Sequence, residues 1–149
     1  MISYHPEKSR LSNSRLCDFI RKEITGDLLE VPGVSESNAR VMRDAKITTT
    51  YGLIGKYLSL KELGVGTLEH QDRFYHWLKY IGTAGGFRAA IVQSIAEKCN
   101  IFCPGIYDEN LYSKNIIDKV ICSENITNEV IYVEVCYPYK EDNKCCNIS

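Results

Sequence analysis

The sequence predicts an all-α protein: a compact five-helix domain with a helix-hairpin-helix, followed by a short C-terminal extension. Three observations carry that expectation. Apolar residues recur at helical spacings of three and four from Leu16 to about Phe102. Breaks rich in Gly and Pro divide that stretch at Pro32-Gly33, Leu63-Gly-Val-Gly-Thr67, Gly82 to Gly86 and Pro104-Gly105. Beyond Phe102 the period changes to partial alternation of β-branched residues. The chain of 149 residues therefore reads as a flexible N-terminus over 1–11, a helical domain over 12–104 and an extension over 105–149.

The first helix spans Leu16 to Ile24, with Leu16, Phe19, Ile20 and Ile24 on one side. Leu28, Leu29 and Val31 form a short apolar segment that stops at Pro32-Gly33. Ser35 reads as the N-cap of a second helix whose buried face is Ala39, Val41, Met42 and Ala45. A third helix begins near Thr48 to Thr50 and carries Leu53, Ile54, Tyr57, Leu58 and Leu60. The fourth contains Phe74, Trp77, Leu78 and Ile81, and Gly82, Gly85 and Gly86 break it. The fifth runs from about Phe87 to Ile101, with Ala90, Ile91, Ile95 and Cys99 along one side. In the extension, Ile116 to Cys122 and Val130 to Tyr137 are candidate strands of a β-hairpin.

Charge is unevenly placed. The formal net charge is −1, yet residues 1–104 hold 14 Lys/Arg against 11 Asp/Glu and residues 105–149 hold 4 against 8. A mildly basic body with an acidic tail can still bind phosphates through a local patch. No apolar run approaches the ~20 residues of a membrane span, and the N-terminus lacks the apolar core of a signal peptide. The expected location is intracellular, in nucleus or cytoplasm, with all seven cysteines as reduced thiols.

The segment from Asp27 to Ile47 carries the functional expectation. A Pro-Gly-apolar-small turn between two helices makes a helix-hairpin-helix. Gly33 lets the backbone turn tightly, Val34 tucks between the helices, and a side chain at position 33 is expected to crowd a bound phosphate. The N–H groups of Gly33, Val34 and Ser35 are expected to be free at the positive end of the second helix, where an anion is favoured. Arg40 and Arg43 lie three apart on that helix and can reach flanking phosphates, giving affinity without base information.

The wider pattern resembles the barrier-to-autointegration-factor family. Val31-Pro-Gly-Val-Ser35 stands where the family has Leu-Ala-Gly-Ile-Gly. Tyr51-Gly-Leu-Ile-Gly-Lys-Tyr-Leu-Ser-Leu-Lys61 is similar to its Tyr-Val-Val-Leu-Gly-Gln-Phe-Leu-Val-Leu-Lys, and Phe74-Tyr-His-Trp-Leu-Lys79 to its Phe-Arg-Glu-Trp-Leu-Lys. Asp18-Phe19, with Arg15 upstream, matches its first helix. The resemblance covers residues 12–103. Ser35 replaces the second hairpin glycine, the loop Lys61 to Arg73 is longer, Phe87 with Arg88 beside it replaces a basic residue, and the tail has no counterpart.

The resemblance implies a homodimer that binds double-stranded DNA without sequence preference and bridges two duplexes, as in chromatin compaction. It implies DNA contacts at Arg15, Gly33, Val34, Ser35, Arg40 and Arg88, and a dimer interface at Gly55, Tyr57, Leu58 and Trp77. It also implies partners of the LEM-domain class and phosphorylation at Ser12 and Ser14. The alternative is a protein-interaction domain that has kept the fold and lost DNA binding.

Catalysis is not expected, because no GxxxxGK[ST], HExxH or GxSxG motif occurs and the His residues at 5, 70 and 76 are scattered. No cofactor is expected. Cys99 and Cys103 share a helix face but lack the second pair of a structural zinc site, so no metal is expected either. Cys146-Asn-Ile-Ser149 has the form of a prenylation signal, which makes Cys146 a candidate lipid site and a membrane a partner only through that lipid. Asn125-Ile-Thr127 and Asn147-Ile-Ser149 have the sequon form without an expected secretory route. Richness in Asn, Ile, Lys and Tyr suits an AT-rich genome, such as that of a large DNA virus or a protist.

Overall fold

The computed structural model describes residues 3–113, and all of its helices lie there. Five α-helices follow in order: α1 Asn13–Arg21, α2 Glu36–Asp44, α3 Thr50–Ser59, α4 Thr67–Ile81 and α5 Gly85–Phe102. Single 3-10 turns lie at Pro6–Lys8, Leu28–Glu30 and Glu109–Tyr112. No strand occurs among the described residues, so the fold class is the expected all-α. The candidate β-hairpin of 116–137 lies outside them.

Helix α5 occupies the middle. Every residue from Ala89 to Cys99 is buried, so the helix has no solvent face along that stretch. Helices α1, α3 and α4 and the turn Pro6–Lys8 pack on it. Two of its buried polar residues, Ser94 and Lys98, bond to backbone carbonyls. Lys98 is 8% exposed and donates from Nζ to the carbonyls of Phe19 and Ile20, at 3.0 and 2.7 Å, and to that of Lys22. These belong to the last turn and C-cap of α1, whose carbonyls have no partner within the helix. The cationic amine also faces the negative end of the helix dipole. Helix α1 therefore stops at Arg21, short of the Ile24 expected from periodicity, with Lys22 already extended.

Caps set the other boundaries. Ser12, Ser35 and Thr49 each accept a hydrogen bond from the backbone N–H three residues on, which starts α1, α2 and α3. Gly82 alone ends α4, in the left-handed region at φ 99°. Gly85 and Gly86 are not breakers; they form the first turn of α5. Thr67 to Arg73, expected as part of a long loop, is the start of α4. Its buried residues include His70 and Gln71, whose polar names hide the helical stripe.

Those two residues form a polar layer between α3, α4 and the segment after α5. Tyr57 Oη donates to Gln71 Oε1 at 3.0 Å, and Gln71 Nε2 donates to the Ile106 carbonyl at 3.1 Å. His70 Nε2 donates to the Tyr57 carbonyl at 2.7 Å, and its ring lies 4.3 Å from that of Tyr57.

The ends of the described chain depart from the expected boundaries. Tyr4 is 2% exposed, donates its N–H to Asp72 Oδ1 at 2.9 Å and shares a 2.9 Å hydrogen bond with Tyr107 Oη. Tyr112 meets the Tyr4 ring edge-on at 5.4 Å. Residues 3–8 and 105–112 thus pack on the helical body through aromatic rings, not as a flexible leader and a separate extension.

Two predictions follow from the buried polar groups. Lys98→Met keeps the stem but strands the α1 carbonyls, and should lower unfolding stability by about 2 kcal/mol in urea titrations. Burial holds the His70 imidazole below its ordinary 6.5, with the Tyr57 carbonyl opposing and Lys61 and Arg73 adding to the depression. The unfolded chain therefore takes the proton first, and stability falls as pH drops below 6.5. Thermal unfolding at pH 7.5 and 5.5 should show a larger loss for the parent than for His70→Gln.

Candidate nucleic-acid interface

The hairpin is built from one turn. Val34 N donates to the Val31 carbonyl at 3.0 Å, with Pro32 and Gly33 between them. Gly33 has φ 95°, and Pro-Gly with a positive φ at the second position is the pattern of a type II turn. The segment before it is a single 3-10 turn, Leu28–Glu30, so the hairpin joins a short turn to α2 and not two full α-helices.

Two expectations about this turn change. The Val34 N–H is not free, because it closes the turn. Among the described residues, the N–H groups of Gly33 and Ser35 meet no acceptor, and the first-turn N–H groups of Glu36 and Ser37 have none within α2. Gly33 also faces inward. A Cβ on it would lie 3.0 Å from Ile91 Cγ1, 3.1 Å from Ala90 Cβ and 3.1 Å from the Phe87 carbonyl oxygen. A side chain there presses on α5 and not on a ligand. Val34 and Ala39 are buried as expected.

Behind the turn, Glu30 ties the preceding loop to α3. Its carboxylate accepts from Thr25 N at 3.0 Å and Gly26 N at 2.9 Å, with Thr50 Oγ1 at 2.6 Å. Burial pushes this carboxyl upward, but the bonds from Thr25 N, the Thr50 hydroxyl and Gly26 N outweigh it and hold it below the ordinary range. Thr50 N donates to the Gly26 carbonyl and Tyr51 Oη to that of Ile24. None of these partners was expected from the sequence.

The basic residues differ in availability. Arg15 and Arg40 are exposed. Arg43 is engaged by Glu36, Nη1 to Oε1 at 2.9 Å, so a carboxylate sits in the first turn of α2 beside its neutralising partner. Arg88 is half-buried, with Nε donating to the Thr83 carbonyl at 2.8 Å and its guanidinium 6.0 Å from the Tyr75 ring centre. The hairpin and the start of α5, which carries Arg88, are brought together by the packing of Gly33 on Phe87 and Ala90. Arg15 lies on α1, which packs on α5. Ser12 is the α1 N-cap, and Ser14 is exposed in the first turn.

Of the four residues expected at a dimer interface, Tyr57 is not at the surface. Tyr57 is fully buried within the protomer, where its hydroxyl serves Gln71, so it offers nothing to a second copy. Gly55 is exposed with no atom within 4 Å of an added Cβ. Leu58 and Trp77 are half-buried. Trp77 stacks on Phe74 at 5.8 Å and 9°, with Lys56 Nζ 5.4 Å from its ring centre.

Among the described residues no group of three or more His, Cys, Asp or Glu could hold a metal, and no helix is long and apolar enough to cross a membrane. Cys99 and Cys103 are free thiols, and burial followed by the neighbouring Cys103 pushes the Cys99 thiol up to about 12. Cys146 lies outside the described residues. No family model, curated protein or solved structure matches the chain.

The packing at position 33 predicts that Gly33→Ala, with a positive φ and a crowded Cβ, lowers stability by about 1–3 kcal/mol. The same change at Gly55, in mid-helix and open space, should raise it by about 1 kcal/mol. Paired denaturant titrations of the two variants decide whether the hairpin glycine is a packing requirement.

Proposed function

We propose that the protein binds double-stranded DNA without reading its sequence, as a barrier-to-autointegration-factor-like homodimer that bridges two duplexes. One observation carries the reading: the turn Val31–Val34 leaves the N–H groups of Gly33, Ser35, Glu36 and Ser37 at the positive end of α2, with Arg40 exposed on the same helix. Such a row suits a backbone phosphate, and phosphate contacts position a protein on DNA without specifying bases. Arg15, and the Arg88 guanidinium beside the hairpin, supply further positive charge. The role is binding and not catalysis, at DNA in the nucleus or cytoplasm.

The dimer contact in this reading is the open α3 face around Gly55, with Leu58 and Trp77 at its side. Partners of the LEM-domain class belong to the same proposal. Phosphate on Ser12 or Ser14 would place negative charge near Arg15 and oppose DNA. Prenylation at Cys146 would add a membrane tether.

A second reading is a protein-interaction domain without DNA binding. The Glu36 carboxylate in the first turn of α2, with Arg43 committed to it, favours that alternative. Gel shift with random-sequence duplex separates the two. With about four phosphates neutralised, affinity should fall roughly 10²-fold between 50 and 200 mM salt. A flat salt response or an absence of binding supports the interaction domain. Gly55→Glu should give monomers that bind one duplex and no longer bridge two, as read by light scattering with short duplexes.

A further inference from the structure

We infer that Asn38 is a positioning residue for the hairpin and for Arg88, acting as the middle amide of one hydrogen-bond chain that runs from Arg88 to Val31. The inference rests on the hairpin being the DNA contact. Asn38 is 2% exposed on α2, one residue from the apolar face that Ala39 and Met42 begin. Its carboxamide spans two segments far apart in sequence. Nδ2 donates to the Gly33 carbonyl at 3.2 Å, and Oδ1 accepts from Ala84 N at 3.3 Å.

Each of those partners is one half of a peptide group whose other half is also bonded. The carbonyl of the Thr83–Ala84 peptide accepts from Arg88 Nε at 2.8 Å. The N–H of the Gly33–Val34 peptide donates to the Val31 carbonyl at 3.0 Å. Four hydrogen bonds therefore connect the Arg88 guanidinium, the 83–84 peptide, the Asn38 carboxamide, the 33–34 peptide and the Val31 carbonyl in series. All run in one direction, from donor at Arg88 to acceptor at Val31. Amides bonded head to tail polarise one another, and the cationic donor at one end strengthens the bonds that follow.

The chemistry selects asparagine. The chain needs an acceptor on one side and a donor on the other, which fixes the amide orientation. Aspartate cannot donate to Gly33, and leucine of similar shape does neither. The bond to Thr83 uses Nε of Arg88 and leaves both Nη groups for a phosphate. Asn38 thereby sets the hairpin against the residue that would contact the same strand, without touching DNA.

The test uses amide NMR spectra and duplex affinity on the full chain. Arg88→Ala alters a half-buried position outside the core and should shift the amide protons of both Ala84 and Val34 upfield. In an Asn38→Leu background the Val34 response to Arg88→Ala should vanish. Asn38→Leu should weaken binding of a random-sequence duplex about tenfold, and adding Arg88→Ala should then cost less than it does in the parent. An unmoved Val34 amide in folded Arg88→Ala overturns the proposal even if Asn38→Leu fails to fold. Parent-like duplex affinity in Asn38→Leu overturns it as well. A responding Val34 amide in a parent that binds no duplex removes the DNA reading and leaves the amide chain standing.

Discussion

Helix α5 has no solvent face between Ala89 and Cys99, because α1, α3, α4 and the turn Pro6–Lys8 pack on it. A helix enclosed on all sides must have each polar side chain satisfied by a neighbour, because an unpaired polar group in an apolar interior costs several kcal/mol. Lys98 meets this requirement by capping α1, and Ser94 by bonding back to the Ala90 carbonyl at 2.7 Å. The hairpin is placed by the same helix. Gly33 sits where a Cβ would be tight against the backbone at Phe87, at a positive φ that L side chains rarely adopt. Position and conformation thus demand glycine together, which is a stronger requirement than either alone.

Much of the fold could be read from the sequence, and the reasons for the misses are specific. Ser35 as a cap and Leu53, Ile54, Phe74 and Leu78 as core residues follow from local chemistry and period, and the structure has them. Boundaries went astray where a distant residue decided them. The end of α1 depends on Lys98, separated by 76 residues from the Lys22 carbonyl it caps, and no local signal encodes that. The start of α4 was hidden because His70 and Gln71 are buried through hydrogen bonds and not through apolarity. Tyr4 reads as part of a leader because its partners, Asp72 and Tyr107, lie far along the chain.

The candidate site shows the same division. The turn and its glycine were legible because Pro-Gly before a capping Ser has few conformations. The direction Gly33 faces was not, since it depends on α5. Tyr57 reads as outward-facing because aromatic residues at helical spacing look alike whether they face a partner or the protomer's own core. Asn38 is a polar residue on a helix face that the sequence marks only by its apolar members. A signal existed: it directly precedes Ala39 and lies four residues before Met42, positions that turn it inward.

A chain of net charge −1 can present an anion site if the positive potential is local. Here the proposed source is backbone N–H groups and exposed Arg40, with Glu36 and Arg43 neutralising each other nearby. The most direct measurement is amide chemical-shift perturbation on adding a short random-sequence duplex at low salt. The account predicts that the largest changes fall on Gly33 to Ser37 and are the same for duplexes of different sequence. Changes concentrated elsewhere, such as around Gly55 and Trp77, with Gly33 to Ser37 unmoved, would contradict it.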